Sequence, residues 1–229
     1  MKISIIIPVY NERGTIGIVL EKVKAVKLID IKKEIIVVDG CSTDGTREFL
    51  LELCQKENFL LIREEQRLGK GMALRNAFNN LTGDIVLIQD ADLETNPDEY
   101  PALLKPILEG KATVVYGSRF KKGRGKTLWG SYLGNWAVTL FMNLLFFSKL
   151  SDVATVYKVF KRDVIEDFNF ECKGFDFDVE ITVKILKSGN NILEIPISYN
   201  PRRAKDGKKL HWFVGIRALY LIFKYRFHD

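Results

Sequence analysis

The stretch DIVLIQDADLE at residues 84–94 decides the fold of this chain. Its first part, Asp84–Gln89, is an aliphatic, β-branched run of the kind that forms a buried strand, and its second part carries carboxylates at alternate positions. Similar runs recur along the chain with helix-like segments between them, at Ile3–Val9, Glu34–Asp39, Phe59–Arg63, Thr113–Tyr116 and Ile192–Ser198. Strands that alternate with helices predict an α/β fold in which a mostly parallel sheet has helices on both faces.

Helical spacing of apolar residues marks the segments between these strands. It predicts helices over Thr15–Val26, Thr46–Lys56 and Gly71–Asn80. The tripeptide Ser42-Thr43-Asp44 supplies a helix-cap signal just before the second of them.

Composition limits the class of protein. With 229 residues, of which 47% are hydrophobic and 28% charged, the chain is an ordinary globular sequence and neither disordered nor collagen-like. Its three cysteines are too scattered for a disulfide framework or a structural zinc site, which favours a reducing compartment. The N-terminal apolar run is too short for a signal peptide. No linker-like stretch interrupts the chain, so we expect one domain over residues 1–229.

The positive charge lies in two segments. The net charge is +6, and residues 200–229 alone contain eight bases and two acids. Residues 110–151 contain seven bases and no acid. These segments predict an anionic partner, for which nucleic acid, a phosphorylated ligand and an anionic membrane surface are all admissible.

The second half of the chain contains two aromatic-rich helical segments. Residues 127–148 have no charge, but polar side chains recur every four positions, at Ser131, Asn135, Thr139 and Asn143. This stripe predicts an amphipathic helix over about 128–149 that lies in a membrane interface and does not span the bilayer. A similar helix is predicted over about 210–227. The alternative is that both helices pack into the core.

The carboxylates Asp90, Asp92 and Glu94 follow a predicted strand and project to one side if the chain stays extended. Hard cations such as Mg²⁺ or Mn²⁺ take oxygen ligands of this kind, although an exposed acidic turn is the alternative. Ligands of open α/β sheets bind at the carboxyl ends of strands, which favours a site here. Neither the G-x-G-x-x-G fingerprint nor the P-loop spacing is present, so NAD and a Walker-type ATPase are disfavoured.

The chain resembles family 2 glycosyltransferases, and most closely their polyprenyl-phosphate sugar synthase branch. Five ordered motifs carry the resemblance: Ile6–Glu12, Val37–Thr46, Gly69–Gly71, Asp90–Leu93 and Gly117–Arg119. It extends into the second half through Leu150–Asp152, Tyr157–Phe160, Gly174-Phe175 with Glu180, and Glu194–Tyr199. The resemblance implies a Rossmann-like GT-A fold with a nucleotide-sugar half over residues 1–120 and an acceptor half over 121–229.

The resemblance also implies roles for individual residues. The nucleotide would be bound by Pro8, Tyr10, Glu12, Asp39, Lys70 and Asp90. Mg²⁺ or Mn²⁺ would be held by Asp90, Asp92 and Glu94. The catalytic residues would be Asp90, Asp92, Arg119 and Arg202, with both arginines clamping phosphate. The acceptor phosphate would meet Arg119, Lys126 and Ser131.

Four positions depart from the family pattern. Gly40 stands where the family often has a second Asp, and Glu94 where it often has Gln. Lys126 and Ser131 match the acceptor-side pattern only loosely.

The function implied is metal-dependent transfer of a sugar, with inversion, from a nucleotide diphosphate sugar of the GDP-mannose or UDP-glucose type to a membrane polyprenyl phosphate. A loop over residues 200–209 would close over the pyrophosphate. The expected location is cytoplasmic, peripheral on the cytoplasmic face of a membrane, attached directly or through a membrane partner subunit.

Three other functions stay open at this point. A saccharide hydroxyl as acceptor would require a general base, for which Asp176, Asp178 and Glu180 are candidates. A nucleotidyltransferase is disfavoured because no glycine-rich basic loop follows the first strand. A non-enzymatic membrane or nucleic-acid binding module would have no use for the carboxylates, so we expect no nucleic-acid partner.

Overall fold

The computed structural model describes residues 1–202 and 213–227. Within them the strands are β1 Lys2–Val9, β2 Lys32–Asp39, β3 Leu60–Arg63, β4 Ile85–Ile88, β5 Val114–Ser118, β6 Lys158–Lys161 and β7 Ile192–Pro196. The helices are α1 Ile16–Ala25, α2 Thr46–Cys54, α3 Lys70–Phe78, α4 Tyr100–Leu108, α5 Trp129–Phe146, α6 Phe177–Lys187 and α7 Phe213–Phe227. All six predicted strands and the three predicted N-terminal helices are present, with ends that differ by at most a few residues.

The strands form one sheet in the order β3-β2-β1-β4-β6-β5-β7. Strands β3, β2, β1 and β4 are parallel neighbours, and β5 pairs in parallel with β7. Strand β6 lies antiparallel between β4 and β5. The predicted mostly parallel α/β fold is confirmed. Strand β6 was not predicted because it has only four residues and contains Lys158, a residue type that is rarely buried.

Two apolar layers cover the sheet. Helices α1, α2 and α4 pack on one face with the odd-numbered isoleucines of β1, Ile3, Ile5 and Ile7. Helices α3, α5, α6 and α7 contribute to the core on the other face, which receives Ile6. Because successive side chains of a strand point to opposite faces, this alternation follows directly from the Ile3–Ile7 run.

Two further predictions concern helices. The cap signal before α2 is confirmed only in part: the N-cap residue is Gly45, which makes no side-chain cap hydrogen bond, and Asp44 just before it accepts the Thr46 N–H at 3.1 Å. Helix α5 falls inside the predicted span 128–149, and α7 packs against α5 and α6. Residues 210–212 of the second predicted helix lie outside the described residues. Among those that are described, no helix is long and apolar enough to cross a bilayer.

Candidate active site

The parallel strands β1 to β4 end at the same edge of the sheet. Val9 pairs with Asp39, Asp39 with Arg63, and Ile6 with Ile88, so the residues that follow these strands lie side by side. These residues carry most of the predicted site. The edge is therefore where the structure gathers Pro8, Tyr10, Glu12, Asp39 and Asp90.

The loop after β1 is pinned to the loop after β2. Asn11 has a positive φ of 52°, its N–H donates to Ser42 Oγ at 3.0 Å, and its side-chain oxygen accepts the Thr43 N–H at 2.8 Å. The Glu12 N–H donates to Thr46 Oγ1 at 3.0 Å. These hydrogen bonds fix the backbone of Tyr10 and Glu12.

Asp39 lies beneath the surface of this edge. Its side chain is fully buried, one oxygen accepts the Ser42 N–H at 3.2 Å, and the other pairs with Arg47 Nε at 2.6 Å. Arg47 was missed by the sequence analysis, although an arginine in the first turn of the next helix is the signal that could have found it. The contact of Asp39 with a nucleoside stays a prediction.

Lys70 and Asp90 form a partly buried ion pair next to the end of β4. Lys70 Nζ lies 2.9 Å from Asp90 Oδ1. Burial alone would lower the pKa of Lys70, but the neighbouring carboxylates of Asp90 and Asp178 outweigh it and raise that pKa. Lys70 is therefore a fixed positive charge at the position where the resemblance places the nucleotide.

Two glycines explain how Lys70 is positioned. A Cβ on Gly69 would lie 2.6 Å from the Lys173 carbonyl oxygen, and one on Gly71 would lie 2.5 Å from that of Cys172. Gly69 also has a positive φ of 100°. Only glycine allows the start of α3 to approach the segment before α6 so closely.

The predicted set of three metal ligands is not assembled as the sequence analysis expected. Glu94 Oε2 accepts the Tyr199 hydroxyl and Oε1 accepts the Arg202 N–H, both at 2.8 Å. Within the described part of the chain no group of three or more Asp, Glu, His or Cys side chains is placed to hold a metal. Glu94 therefore holds the segment after β7 in this structure, and its role as a metal ligand stays a prediction.

Asp90 and Asp92 still provide a donor set that fits Mg²⁺ or Mn²⁺. Both are carboxylates, both are partly accessible, and they follow the same strand. Mg²⁺ is usually held by one or two carboxylates together with substrate phosphates, so two protein ligands suffice.

Arg202 reaches the same edge from the far end of the sequence. Its guanidinium pairs with both oxygens of Glu12, at 3.0 and 2.8 Å, and its Nε donates to the Asp92 carbonyl oxygen at 3.1 Å. The remainder of the predicted loop, residues 203–209, and with it the bases Arg203, Lys205, Lys208 and Lys209, lies outside the described residues.

Arg119 is held by the carboxylate of Asp152. Its guanidinium makes two hydrogen bonds of 2.7 Å to Asp152, and it also donates to the Ala154 carbonyl oxygen at 2.8 Å. Burial disfavours its charge, but Asp152 more than compensates and raises the pKa of Arg119. The predicted phosphate clamp is thus preorganised by Asp152.

Lys126 and Ser131, which the resemblance assigns to the acceptor phosphate, lie close together in the chain after β5. Lys126 is exposed in the basic segment between β5 and α5, and Ser131 is half-buried in the first turn of α5. Arg124 lies over the Trp129 ring, 4.5 Å from its centroid, and so ties this segment to the helix.

Helix α5 turns its polar stripe toward the protein. Asn143 accepts the Leu150 N–H at 2.9 Å, Thr139 Oγ1 accepts the Val153 N–H, and Asn135 Oδ1 accepts the Ala154 N–H. A row of large apolar side chains is consequently exposed on α5, and α7, which packs against α5, also exposes large apolar side chains. We call this the α5–α7 apolar surface; its members are Leu128, Trp129, Leu133, Trp136, Leu140, Leu144, Ile216, Tyr220, Phe223 and Phe227.

A buried ion pair behind Lys70 was not predicted. Lys158 in β6 is fully buried, and its Nζ lies 2.7 Å from Asp178 Oδ1. Burial would raise the pKa of Asp178, but Lys158 and Lys70 hold it below its ordinary value. No sequence signal marks this pair, because Lys158 and Asp178 meet only across the fold.

The chain is similar to proteins of known sequence and to solved structures. A model of the family described as glycosyl transferase family 2 matches residues 4–168. The chain is 32% identical over 210 residues to the low-salt glycan biosynthesis hexosyltransferase Agl6 of Haloferax volcanii. This match covers 89% of this chain and 49% of that protein. The chain is 29% identical over 234 residues to the dolichol-phosphate mannosyltransferase of Pyrococcus furiosus, which covers 98% of this chain and 64% of that protein. The chain thus spans between half and two thirds of the length of these relatives.

Among solved structures, glucosyl-3-phosphoglycerate synthase from Mycobacterium tuberculosis, in complex with Mn²⁺, uridine diphosphate and phosphoglyceric acid, matches with a TM-score of 0.74. The match covers 98% of this chain and 78% of that one at 20% identity, and it confirms the fold. The family model covers well over half of the described sequence, so the chain belongs to glycosyl transferase family 2.

Proposed function

We propose that the chain catalyses transfer of a hexosyl group from a nucleotide diphosphate sugar to a polyprenyl phosphate at a membrane surface. The orientation of α5 is the observation that carries this proposal. The polar side chains of its stripe make hydrogen bonds inside the protein, while Trp129, Leu133 and Trp136 are each more than half exposed. Amphipathic helices that present Trp and Leu beside basic residues lie in bilayer interfaces.

The donor side of the proposed site is the edge formed by β1 to β4. Asp90 and Asp92 would hold Mg²⁺ or Mn²⁺, and Lys70 lies beside Asp90. When bound, the metal supplies positive charge that stabilises the diphosphate as it leaves. Arg202 would contact the same diphosphate after exchanging its partner Glu12 for a phosphate oxygen.

The proposed reaction is a direct displacement at the anomeric carbon of the sugar. An oxygen of the lipid phosphate forms the new bond, the bond from that carbon to the nucleoside diphosphate breaks, and the leaving diphosphate keeps the electron pair. Attack from the side opposite the leaving group inverts the configuration. Since a monoester phosphate has a second pKa of about 6, the acceptor is already ionised at neutral pH and requires no general base.

The acceptor side of the proposed site is built from the second half of the chain. The basic segment before α5 contains Arg119, Lys121, Lys122, Arg124 and Lys126, and it leads directly into the α5–α7 apolar surface. Such a sequence of cations and apolar side chains suits a phosphate on a hydrocarbon tail. We therefore assign donor binding mainly to residues 1–120 and acceptor binding mainly to 121–229, with Arg119 and Arg202 as the two residues that cross this division.

The proposed location is the cytoplasmic face of a membrane. Cys41, Cys54 and Cys172 are all free thiols, which suits a reducing compartment. Attachment through the α5–α7 apolar surface to anionic lipid is direct in this proposal, and a membrane partner subunit is the alternative.

Transfer to a saccharide hydroxyl is less well supported, because the carboxylates that could serve as general base are engaged. Both oxygens of Glu180 accept backbone N–H groups, from Glu171 and Cys172 at 2.7 and 2.8 Å. Asp178 pairs with Lys158, and Asp176 pairs with Arg217 at 2.7 Å. A general base needs a free oxygen and a pKa near neutrality.

The proposal is tested by incubating the purified chain with labelled GDP-mannose or UDP-glucose, Mg²⁺ or Mn²⁺, and vesicles that contain a polyprenyl phosphate. We expect a labelled product that extracts into organic solvent and is released by mild acid. Label that is recovered in a water-soluble saccharide would support the hydroxyl alternative and contradict the lipid acceptor.

A matched pair of variants links this activity to the site. Asp92→Asn should lower kcat by about 100-fold or more, since it removes a charged group from the reaction centre. Asp98→Asn, an exposed carboxylate only six residues away, should leave it unchanged. Equal activity of the two variants would remove Asp92 from the proposed site.

A further inference from the structure

Glu64 is a buried carboxylate at the active-site edge that the proposed reaction does not yet use. It directly follows β3, and its N–H donates to the Asp39 carbonyl oxygen at 2.9 Å. Only 4% of the residue is exposed. Oε1 accepts the Asn76 side-chain N–H at 2.7 Å, whereas Oε2 has no hydrogen-bond partner among the residues that the structure describes.

The unpaired oxygen lies at the edge of the sheet where the nucleoside site is proposed. A Cβ placed on Gly40 would lie 3.7 Å from Glu64 Oε2 and 3.8 Å from the Tyr10 Cβ. Glu64 Oε2 therefore lies beside the two residues that follow β1 and β2. Glu64 brings a carboxylate to this place from the neighbouring strand.

Asp39 does not offer the same oxygen. Both of its carboxylate oxygens are engaged, by the Ser42 N–H and by Arg47, and its side chain has no exposed surface. Arg47 also donates to the Glu64 carbonyl oxygen, so that Asp39, Arg47 and the Glu64 backbone form one rigid support. In contrast to the two Asp39 oxygens, Glu64 Oε2 has no hydrogen-bond partner among the described residues.

An unpaired buried carboxylate oxygen is costly for the folded protein. A buried acceptor without a partner destabilises the folded state, and it does so more strongly when it is charged. Burial, together with the negative charge of Asp39, raises the pKa of Glu64 despite the hydrogen bond from Asn76. A ligand that donates an N–H to Oε2 would remove this cost, so the site is preorganised for such a donor.

We propose that Glu64 Oε2 accepts the ring N–H of the donor's nucleobase and thereby selects guanine or uracil over adenine or cytosine. Guanine N1 and uracil N3 carry a hydrogen, whereas the corresponding nitrogens of adenine and cytosine are acceptors that a carboxylate repels. This inference rests on the proposed function, because it assigns the base of the same nucleotide sugar.

The experiment measures binding of UDP, GDP, ADP and CDP to the full chain by calorimetry with Mn²⁺ present. We expect UDP or GDP to bind at least about 10-fold more tightly than ADP and CDP, and the comparison of UDP with GDP identifies the base. Glu64→Gln should weaken the preferred nucleotide by about 10- to 100-fold, the range for losing a hydrogen bond to a charged group. It should also reduce the preference among the four bases.

Two further variants make the result decisive. Glu64→Met removes the acceptor without relying on the orientation of an amide, and its melting temperature shows whether it folds. Glu65→Gln makes the same charge change at the adjacent exposed residue and should bind like the wild type.

The outcomes separate the two proposals. If the wild type binds nucleotides but Glu64→Gln and Glu64→Met keep its affinity and base preference, the role of Glu64 is overturned while the proposed function stands. If the wild type binds none of the four nucleotides, the proposed function fails, and this inference fails with it.

Discussion

Charged side chains at the active-site edge are paired with one another at the scale of single residues. Asp90 pairs with Lys70, Glu12 with Arg202, and Asp152 with Arg119. The pairs fix the side chains in place, because an unpaired buried charge is costly. In the proposed reaction, a phosphate that binds Lys70 or Arg202 must displace the carboxylate that is paired with it. Part of the binding energy therefore goes into breaking an existing ion pair. Preorganised charges of this kind stabilise a developing anion more effectively than mobile ones do.

Glu34 allows a test of carboxylate pairing away from the site. Burial opposes its charge, but hydrogen bonds from Lys2, Ser4 and Thr82 outweigh it and lower the pKa of Glu34 from 4.5 to about 2. The carboxylate is therefore ionised more readily in the folded state than in the unfolded state. Its stabilising contribution is complete above pH 4.5 and is lost as the pH falls from there toward 2.

Glu34→Gln should lower the free energy of unfolding at pH 7 by roughly 1–2 kcal/mol, a value reduced by solvent screening at the edge of the sheet. The difference from wild type should shrink as the pH falls from 4.5 to 2. Urea denaturation at several pH values measures both effects. Glu21→Gln on the exposed side of α1 is the control; an equal loss in both variants, or one independent of pH, would contradict the assignment.

At the scale of elements, the start of α3 depends on its close approach to the segment before α6. Gly71→Ala would force a Cβ to within 2.5 Å of the Cys172 carbonyl oxygen. We expect a loss of about 1–3 kcal/mol, the usual cost of overpacking, because the neighbouring atoms belong to backbone that cannot move aside easily. Thermal or urea denaturation measures the loss.

The control is the same substitution in open space. A Cβ on Gly134 in α5 meets no atom within 4 Å, so Gly134→Ala should stabilise the protein by about 0.5–1 kcal/mol through helix propensity. If Gly71→Ala were equally harmless, the contact between α3 and the segment before α6 would not be as tight as the structure has it.

Helix α5 gives a second test at this scale. Trp136→Glu places a charge in the middle of the α5–α7 apolar surface, where the side chain is 53% exposed and contributes little to the core. We expect binding to anionic vesicles to weaken about 10-fold or more, which corresponds to losing burial of one large apolar side chain. Vesicle co-sedimentation measures the effect.

Leu108→Glu makes the same kind of change at a 45% exposed residue on α4, on the opposite side of the sheet. It should leave vesicle binding unchanged. Equal binding of both variants would mean that the α5–α7 apolar surface does not meet the membrane.

At the scale of the whole molecule, the active site is closed by contacts between distant parts of the chain. Residues 199–202, after the last strand, bind through Tyr199 and Arg202 to Glu94 and Glu12 near the ends of β4 and β1. A segment that closes over the phosphate region can exclude water and complete the set of charges around the leaving group. Removal of a contact made by this segment should therefore lower activity more than it lowers stability.

Arg202→Ala should lower kcat by about 100-fold, because in the proposed mechanism the guanidinium contacts the leaving diphosphate. Arg202→Lys should recover part of this activity, since it keeps the charge but loses the paired geometry. Steady-state kinetics with saturating metal measures both. Arg162→Ala is the control, because Arg162 pairs with Glu166 at the opposite edge of the sheet; an unchanged kcat in Arg202→Ala would exclude Arg202 from the reaction.

The sequence by itself determined the alternation of strands and helices, the edge at which the acidic residues gather, and the amphipathic character of α5. These features depend on local periodicity and on the rule that parallel strands end together, both of which can be read from neighbouring residues. Asp90 and Asp92 were predicted for the same reason, since they follow a strand, whereas Lys70 was predicted only from the resemblance to the family.

Only the tertiary structure decided which charges pair and which oxygens stay available. Glu94 accepts hydrogen bonds from Tyr199 and Arg202, and Lys158 pairs with Asp178. Glu64 has one oxygen without a partner among the described residues. Each of these outcomes depends on atoms that are separated by 12 to 108 residues along the sequence. Hydrogen bonds act over about 3 Å and are set by the positions of both partners, so no local pattern specifies them before the chain has folded.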